Sequence, residues 1–501
     1  MWQTRRMLRW SPLLGLVPAI LVSCSSGKSS SAPPGGDDAG DEAEAGSVSL
    51  TYAPQGCAYT YTPPATLGFT DLAVDDGGPV DPTMGAPQRV RLGLGGGTTK
   101  GQPGYADPTT SAAFTWETAE SNHAAKVQLG TSPSAMSEVH AGYAWSEPTS
   151  GGNTVSNMHE VHVCGLTPGT TYFYEVGGGP SGAEVWSATQ SFTTVPATGT
   201  VSIGVFGDAR DSSTTWQAVH VRMRDAAVNM QLVGGDMVDV GGLEPLYVTW
   251  LDAIWHDPND ATKFLTLGQQ MIVPVAGNHE NDASDFFSNF ATPGDGPYAE
   301  TYGSFDAGNT HFLLLDDQQI AESLAAGSAN AQATAQLAWV AQDLAAANAD
   351  RTPHPFIVVV SHRCMFSTST HATDKDVLAA RGALVPLYDK YAVDLVVNGH
   401  DHDYERSNPL MAGTPPSGAP VVGTGTTYVV SAGAGADAYA TGTPQPFTQK
   451  SVAYGSGTSY IGSYSILTLQ ANMLKLTAYG LKASSTTVAG DDVIDTVTLT
   501  H

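Results

Sequence analysis

Five short apolar runs in the second half of this chain each end in a block carrying aspartate, asparagine or histidine. VSIGVF runs into Gly207-Asp208-Ala209-Arg210, and MQLV into Gly234-Gly235-Asp236-Met237-Val238-Asp239. MIVPVA ends at Gly277-Asn278-His279-Glu280, PFIVVV at Ser361-His362-Arg363, and DLVV at Asn398-Gly399-His400-Asp401-His402. Runs this short and this apolar read as buried strands. Between them lie helical stretches such as residues 330–350, with apolar residues at helical spacing around Leu337, Trp339, Val340 and Leu344. Strands alternating with helices predict an α/β arrangement, in which ligand sites form at the carboxyl ends of strands, so all five blocks are expected on one rim. After residue 423, strand-like runs return and predict a closing β-meander.

The residue types in the blocks are those of a metal site. Asp, Asn and His offer oxygen and imidazole nitrogen to hard or borderline metal ions, and no thiolate is included. One aspartate in a loop is usually a turn-former, and one buried histidine a hydrogen-bonded core residue. Five matched strand ends in order are not explained that way. Glycine before Asp208, Asp236, Asn278 and His400 predicts tight backbone turns. Asp401, Asp403 and Glu405 read either as groups orienting an imidazole or as solvent-facing turn residues.

The rest of the chain has a different texture. Residues 48–196 alternate in short runs punctuated by Gly, Pro and Thr, the pattern of an all-β antiparallel sandwich, with Trp116, Tyr172 and Tyr174 as packing residues. GLTPGTTYFYEV resembles the penultimate turn and strand of fibronectin type III-like domains. LGLGGGTTKG (92–101) lacks the order of a phosphate-binding loop and reads as a flexible loop. His123, His140, His159 and His162 read as surface or strand residues. Residues 195–200 read as a linker to the second part, 200–501.

Arg5, Arg6 and Arg9 precede SPLLGLVPAILV, a run shorter than the ~20 residues of a membrane span, so residues 1–24 read as an export signal. Its end, LVSC, resembles a bacterial lipoprotein signal, which implies a lipid on Cys24 and anchoring to the cell envelope. A plain secretory signal, giving a periplasmic or secreted protein, is the alternative. Residues 25–47, rich in Ser, Gly, Pro, Asp and Glu, read as a disordered tether. Export permits disulfides, and Cys57 and Cys164 are the candidate pair, with Cys364 left as a buried thiol. The chain has 48 Asp+Glu against 21 Lys+Arg, net −27, which argues against nucleic-acid binding and favours attraction of cations.

GDAR, GGDMVD, GNHE, VVSHR and GHDHDYER together resemble the ordered signature of the calcineurin-like metallophosphoesterases. With the preceding sandwich and closing strands, residues 85–501 are most similar to the purple acid phosphatases. The resemblance implies a four-layer β-sandwich flanked by helices and a dinuclear centre of two divalent or trivalent ions (Fe, Zn or Mn). It places Asp208 and His402 on the first metal, Asp236 between both, and Asn278, His362 and His400 on the second. His279, and His371 in the loop after His362, would face a phosphate ester and its leaving group. Two positions depart from the pattern. Asp239 stands where the family's GDxxY has the iron-binding tyrosine, so the protein is expected to lack the violet colour; Asp239 is a candidate ligand or organiser of the first metal. Arg210 stands where many relatives have a ligating histidine, and is a candidate clamp for a phosphate oxygen. The implied activity is phosphomonoester hydrolysis. A phosphodiesterase with the same core, or a non-catalytic surface protein with a degenerate site, are the alternatives.

Overall fold

The computed structural model describes residues 50–64, 67–148, 155–294 and 298–501. The expected signal, Cys24 and the tether lie outside the described residues. All described residues belong to one compact unit.

The apolar runs are strands buried along their whole length. Met230–Val233, Met271–Pro274, Phe356–Val360 and Leu395–Asn398 are buried at every residue, and Val201–Phe206 at all but one. Continuous rather than alternating hydrophobicity is what a strand covered on both faces requires. Val201–Phe206, Met230–Val233 and Met271–Pro274 pair in parallel in an eleven-stranded sheet. Phe356–Val360 and Leu395–Asn398 pair in parallel in a separate seven-stranded sheet. The expectation of a single rim is therefore refined: three site-bearing strands come from one sheet and two from the other.

The two sheets face each other. Val205, Leu232 and Val273 pack in one core with Val358, Val360, Leu395 and Val397. The alternate residues point outward. Phe206, Val233 and Ile272 lie under the helices Ser213–Asp225 and Glu244–Trp255. Ile357, Val359 and Val396 lie under Gln318–Ala326, Ala331–Ala349 and Lys375–Lys390. The period of two along each strand thus produces four layers, helix–sheet–sheet–helix. The helix read from residues 330–350 spans Ala331–Ala349, and the Asn330 side chain caps it by accepting from Ala333 N. Of the closing runs, Gly462–Gln470, Met473–Leu481 and Asp492–Thr500 extend the eleven-stranded sheet, while Thr427–Ser431 joins the other.

The N-terminal part is a sandwich whose first sheet continues the eleven-stranded one, through a short parallel pairing of Leu92 with Met271. Its second sheet contains Thr171–Gly178, and Phe114 meets Tyr174 and Phe192 across the interior at 4.8 and 5.6 Å between ring centres. Trp116 and Tyr174 are fully buried and Tyr172 nearly so, as packing residues should be. Cys57 and Cys164 are disulfide-bonded, and Cys364 is a buried free thiol. No helix among the described residues is long and apolar enough to cross a membrane. The glycine-rich 92–101 segment differs from its reading as a flexible loop. Residues 92–98 are buried, and a Cβ on Gly95 would lie 2.6 Å from His162 Nδ1, so glycine is there to permit close packing.

Two buried carboxyls sit where the N-terminal strands meet the helical layer. Burial pushes Glu147 up to about 7, and burial with the nearby Glu117 charge pushes Glu244 up to about 8. Both values exceed the ~4.3 of an unfolded glutamate. Between about pH 4.5 and 8 the native state therefore binds more protons than the unfolded one, and stability falls as pH rises through that window. Chemical unfolding is expected at higher denaturant at pH 5 than at pH 8, with Glu244→Gln flattening the difference. A dependence unchanged by Glu244→Gln would contradict this assignment.

Candidate metal centre

The loops leaving the five strands meet where the two sheets' carboxyl ends adjoin. Donor atoms of Asp208, Asp236 and His362 lie within 4.8 Å of one another, all three residues buried. Asn278 Oδ1 is 2.9 Å from both His362 Nε2 and His400 Nδ1, and His362 Nε2 is 3.3 Å from Asp236 Oδ1. On the other side, His402 Nε2 is 3.5 Å from Asp208 Oδ1. Six of the residues singled out in the sequence as metal ligands are thus brought into one cluster.

The backbone is strained at this cluster. Asp208, Asp236 and His400 have φ of 61°, 53° and 75°, the left-handed region that a side chain disfavours. Gly235, at φ 86°, makes the tight turn expected of it, while Gly277 and Gly399 do a different job. A Cβ on Gly277 would lie 2.3 Å from Asp236 Oδ1, and one on Gly399 would lie 2.5 Å from Asp208 Oδ2. These two glycines leave room for the carboxylates, while the clustered residues themselves take the unusual backbone.

Backbone carbonyls set the imidazole tautomers. His362 Nδ1 donates to Gly234 O at 2.7 Å, and His402 Nδ1 to Asp437 O at 2.6 Å. A carbonyl only accepts, so each Nδ1 carries a proton and each Nε2 is the nitrogen turned to the cluster. This corrects both readings of Asp401, Asp403 and Glu405. All three are buried rather than solvent-facing. Asp401 accepts from the His371 amide and the Cys364 thiol, and Glu405 from the Thr368 amide, so these two organise the 364–371 loop.

The electrostatics are those of a site short of positive charge. Burial and the Asp236 charge push Asp208 well above the usual carboxylate range. Burial acts in the same sense on Asp236, but the adjacent His362 outweighs it and holds Asp236 well below that range. Burial opposes charge on His362, yet Asp236 and Asp208 raise it to about 10. Burial lowers His402 to about 4 and pushes His400 well down, so both are neutral. Asp208 Oδ2 and His400 Nε2 are buried with no hydrogen-bond partner among the described residues. A buried carboxylate oxygen without a donor, such as Asp208 Oδ2, is costly unless a cation satisfies it. The residues therefore fit a hard or borderline metal ion.

Glu280 carries the cluster from behind and was not singled out in the sequence. Its buried carboxylate accepts from the amides of Asp236, Met237, Val238 and Gly277 at 2.7, 2.8, 3.2 and 2.8 Å. Burial and the Asp236 charge push its pKa up, and the amides from Gly277 and Val238 pull it back. A single glutamate thus ties together two site loops. Only its place in the GNHE block hinted at this.

The remaining candidates stand at the mouth. His279 is partly exposed, its amide donates to Asp236 Oδ1 at 3.0 Å, and its Nδ1 is 2.8 Å from Asp239 O. His371 packs against His400 at 4.4 Å between ring centres, and Asp374 accepts from its Nδ1 at 2.8 Å. Tyr439, also not singled out, stacks on His402 at 3.9 Å. Asp239 engages Arg210 Nη1 at 3.2 Å and His279 Nδ1 at 3.4 Å, and its side chain is 57% exposed.

Two family models match the chain: the purple acid phosphatase N-terminal domain over residues 102–194 and the calcineurin-like phosphoesterase over residues 201–404. An uncharacterised protein of Mycobacterium tuberculosis is 27% identical over 330 residues, 60% of each chain. Purple acid phosphatase 15 of Arabidopsis thaliana is 28% identical over 56% of each chain. Human acid phosphatase type 7 is 26% identical over 65% of this chain and 72% of its own. The match thus spans about 60% of the length of the mycobacterial relative. A purple acid phosphatase from yellow lupin seeds shares the fold, with TM-score 0.63 at 17% identity over 83% of this chain and 74% of that one. The chain belongs to the calcineurin-like metallophosphoesterases, as a purple acid phosphatase-like member.

Proposed function

We propose that the protein is a metal-dependent phosphoesterase acting outside the cytoplasm, with phosphomonoesters as its substrates. The observation that carries this reading is the convergence of Asp208, Asp236 and His362, with the buried Asp208 Oδ2 left without a hydrogen-bond partner among the described residues. In the proposed centre, Asn278, His362 and His400 would hold one metal and Asp208 and His402 the other, with Asp236 serving both. Such a pair supplies Lewis acidity and a hydroxide nucleophile at near-neutral pH. Iron, zinc and manganese all suit the donor set.

The protein's own groups do the rest. Gly234 O and Asp437 O hold the two Nε2 atoms toward the centre. Asp236 Oδ1, bonded to the His279 amide, fixes where that imidazole stands. His279 and His371 are the groups placed to meet the ester and pass a proton to its leaving oxygen. Asp374 accepts from His371 Nδ1, so Nε2 is the nitrogen of that ring left to carry the transferable proton when the imidazole is protonated. In the proposed division of the chain, residues 1–24 direct export with Cys24 as the lipid attachment point, 25–47 form a tether, 48–196 the N-terminal sandwich and 200–501 the catalytic part.

The test is a panel of phosphomonoesters and phosphodiesters, assayed on the chain from residue 47 onward, with Mn, Zn, Fe and Mg restored separately. Monoester turnover that exceeds diester turnover supports the reading. Preference for diesters makes the protein a phosphodiesterase, and no turnover with any metal leaves it a binding protein.

Asp239 in place of tyrosine carries a second expectation. The iron-loaded protein should show no strong visible charge-transfer band, because Asp239 offers no phenolate. The visible spectrum of a concentrated sample checks this. A violet sample would contradict the reading of position 239 and point to Tyr439, stacked on His402, as the phenolate.

A further inference from the structure

The two positions at which this chain departs from its family, Arg210 and Asp239, are in contact. Arg210 Nη1 lies 3.2 Å from Asp239 Oδ1, and 3.7 Å from Asp211 Oδ1. The rest of the guanidinium is turned to the centre. Nη2 is 3.5 Å from His402 Nε2, the nitrogen left free by the bond from Nδ1 to Asp437 O. Nε is 3.9 Å from Asp236 Oδ2 and is buried with no hydrogen-bond partner among the described residues. These are donor atoms on which the first metal depends. The side chain is only 13% exposed and its charge cannot be lost at any working pH.

We propose that Arg210 is a resident cation on the His402 side of the centre, so that the protein binds one divalent ion tightly and a second one weakly. The inference rests on the reading of the cluster as a metal centre. The tight position is the one beside Asp236, Asn278, His362 and His400, where the guanidinium approaches Asp236 alone, at 3.9 Å. The weak position is the one beside Asp208 and His402. An ion there would sit about 2 Å from His402 Nε2, a nitrogen that an Arg210 N–H already approaches. Guanidinium and ion would then stand a few ångström apart in a half-buried site, where like charges repel strongly. Asp239 is the anchor that keeps the guanidinium in place. The two departures are on this account one device, a fixed organic charge and its counter-ion exchanged for part of a metal-binding half-site.

Metal stoichiometry tests this without recourse to turnover. The chain from residue 47 onward, stripped with a chelator, is titrated with Mn(II), and free ion and electron paramagnetic resonance are followed. The wild type is expected to take up one equivalent tightly, giving the spectrum of an isolated Mn(II). Its second equivalent should bind at least roughly a hundredfold more weakly. Arg210→Gly and Arg210→Gln, one removing the side chain and one keeping its bulk without charge, are expected to bind two equivalents tightly and give a spin-coupled pair. Asp239→Asn, which loosens the anchor, is expected to strengthen the second equivalent. Two tight equivalents in the wild type, or a second affinity unmoved in both Arg210 variants, would overturn the proposal. A second equivalent weakened by Asp239→Asn would make Asp239 a ligand and also overturn it. Binding of no ion by wild type and variants alike would sink the metal-centre reading itself, an outcome distinct from these.

Discussion

Asp236→Asn is expected to abolish phosphate-ester turnover, by at least about a thousandfold, while the metal-free protein keeps its fold. The size of the effect follows from the position of the carboxylate. Its Oδ1 faces His362 Nε2 at 3.3 Å, and Oδ2 is the oxygen near Arg210 and His279. In the proposed centre it is the one group shared by both halves, so its loss weakens both at once, and losing about 4 kcal/mol of transition-state stabilisation costs about a thousandfold in rate. The fold survives for a separate reason. Asp236 has φ of 53°, and asparagine is among the few residues that tolerate that backbone. The amide oxygen can also still accept from the His279 N–H, which reaches Oδ1 at 3.0 Å. For the same reason His400→Asn, at φ 75°, is a cleaner second variant than His400→Ala. The measurement is metal content, turnover of a simple aryl phosphate, and the thermal midpoint of the stripped protein. Metal content and turnover close to wild type in Asp236→Asn would remove Asp236 from the centre; a collapsed midpoint would show that its role is in folding.

The contrast between what the sequence made legible and what it did not is itself physical. Asp208, Asp236, Asn278, His362, His400 and His402 were readable because each ends an apolar run, and a strand delivers its last residue to a predictable edge. The four-layer arrangement was readable only with the family resemblance. Continuous apolar runs say that a strand is covered on both faces, but not that the cover on one face is a second sheet. The supports of the site were not readable. The His362 and His402 tautomers are set by the carbonyls of Gly234 and Asp437, and every residue type has a carbonyl. Asp401 and Glu405 look like turn residues in GHDHDYER, and only the fold shows that they are buried against the 364–371 loop. Arg210 and Asp239 each stand out in the sequence as substitutions, yet their pairing across 29 residues appears only when two strand ends adjoin. Of the glycines, Gly235 takes the turn backbone that was read for it, whereas at Gly277 and Gly399 the constraint is space.

Glu280→Ala is the substitution expected to damage the folded state most while touching no substrate. Oε2 accepts from the amides of Asp236 and Gly277, and Oε1 from those of Met237 and Val238. Alanine leaves four N–H groups without their acceptor, in a place where the glutamate was fully buried. Each such group costs about 1–3 kcal/mol, so the total is at least about 4 kcal/mol, a large share of the roughly 5–15 kcal/mol that keeps a domain folded. Glu280→Gln separates the hydrogen bonding from the charge. Its amide oxygen can keep one pair of donors, but its NH2 must then face the other pair, so an intermediate loss is expected. Metal affinity should fall alongside stability in both variants, because the amides of Asp236 and Gly277 that Glu280 fixes lie beside the Asp236 and Asn278 side chains. Urea unfolding of the stripped proteins, set against Mn(II) affinity of the same samples, checks both parts. Were Glu280 acting only through its charge on Asp236, the glutamine variant would match wild type in unfolding and differ in metal affinity alone.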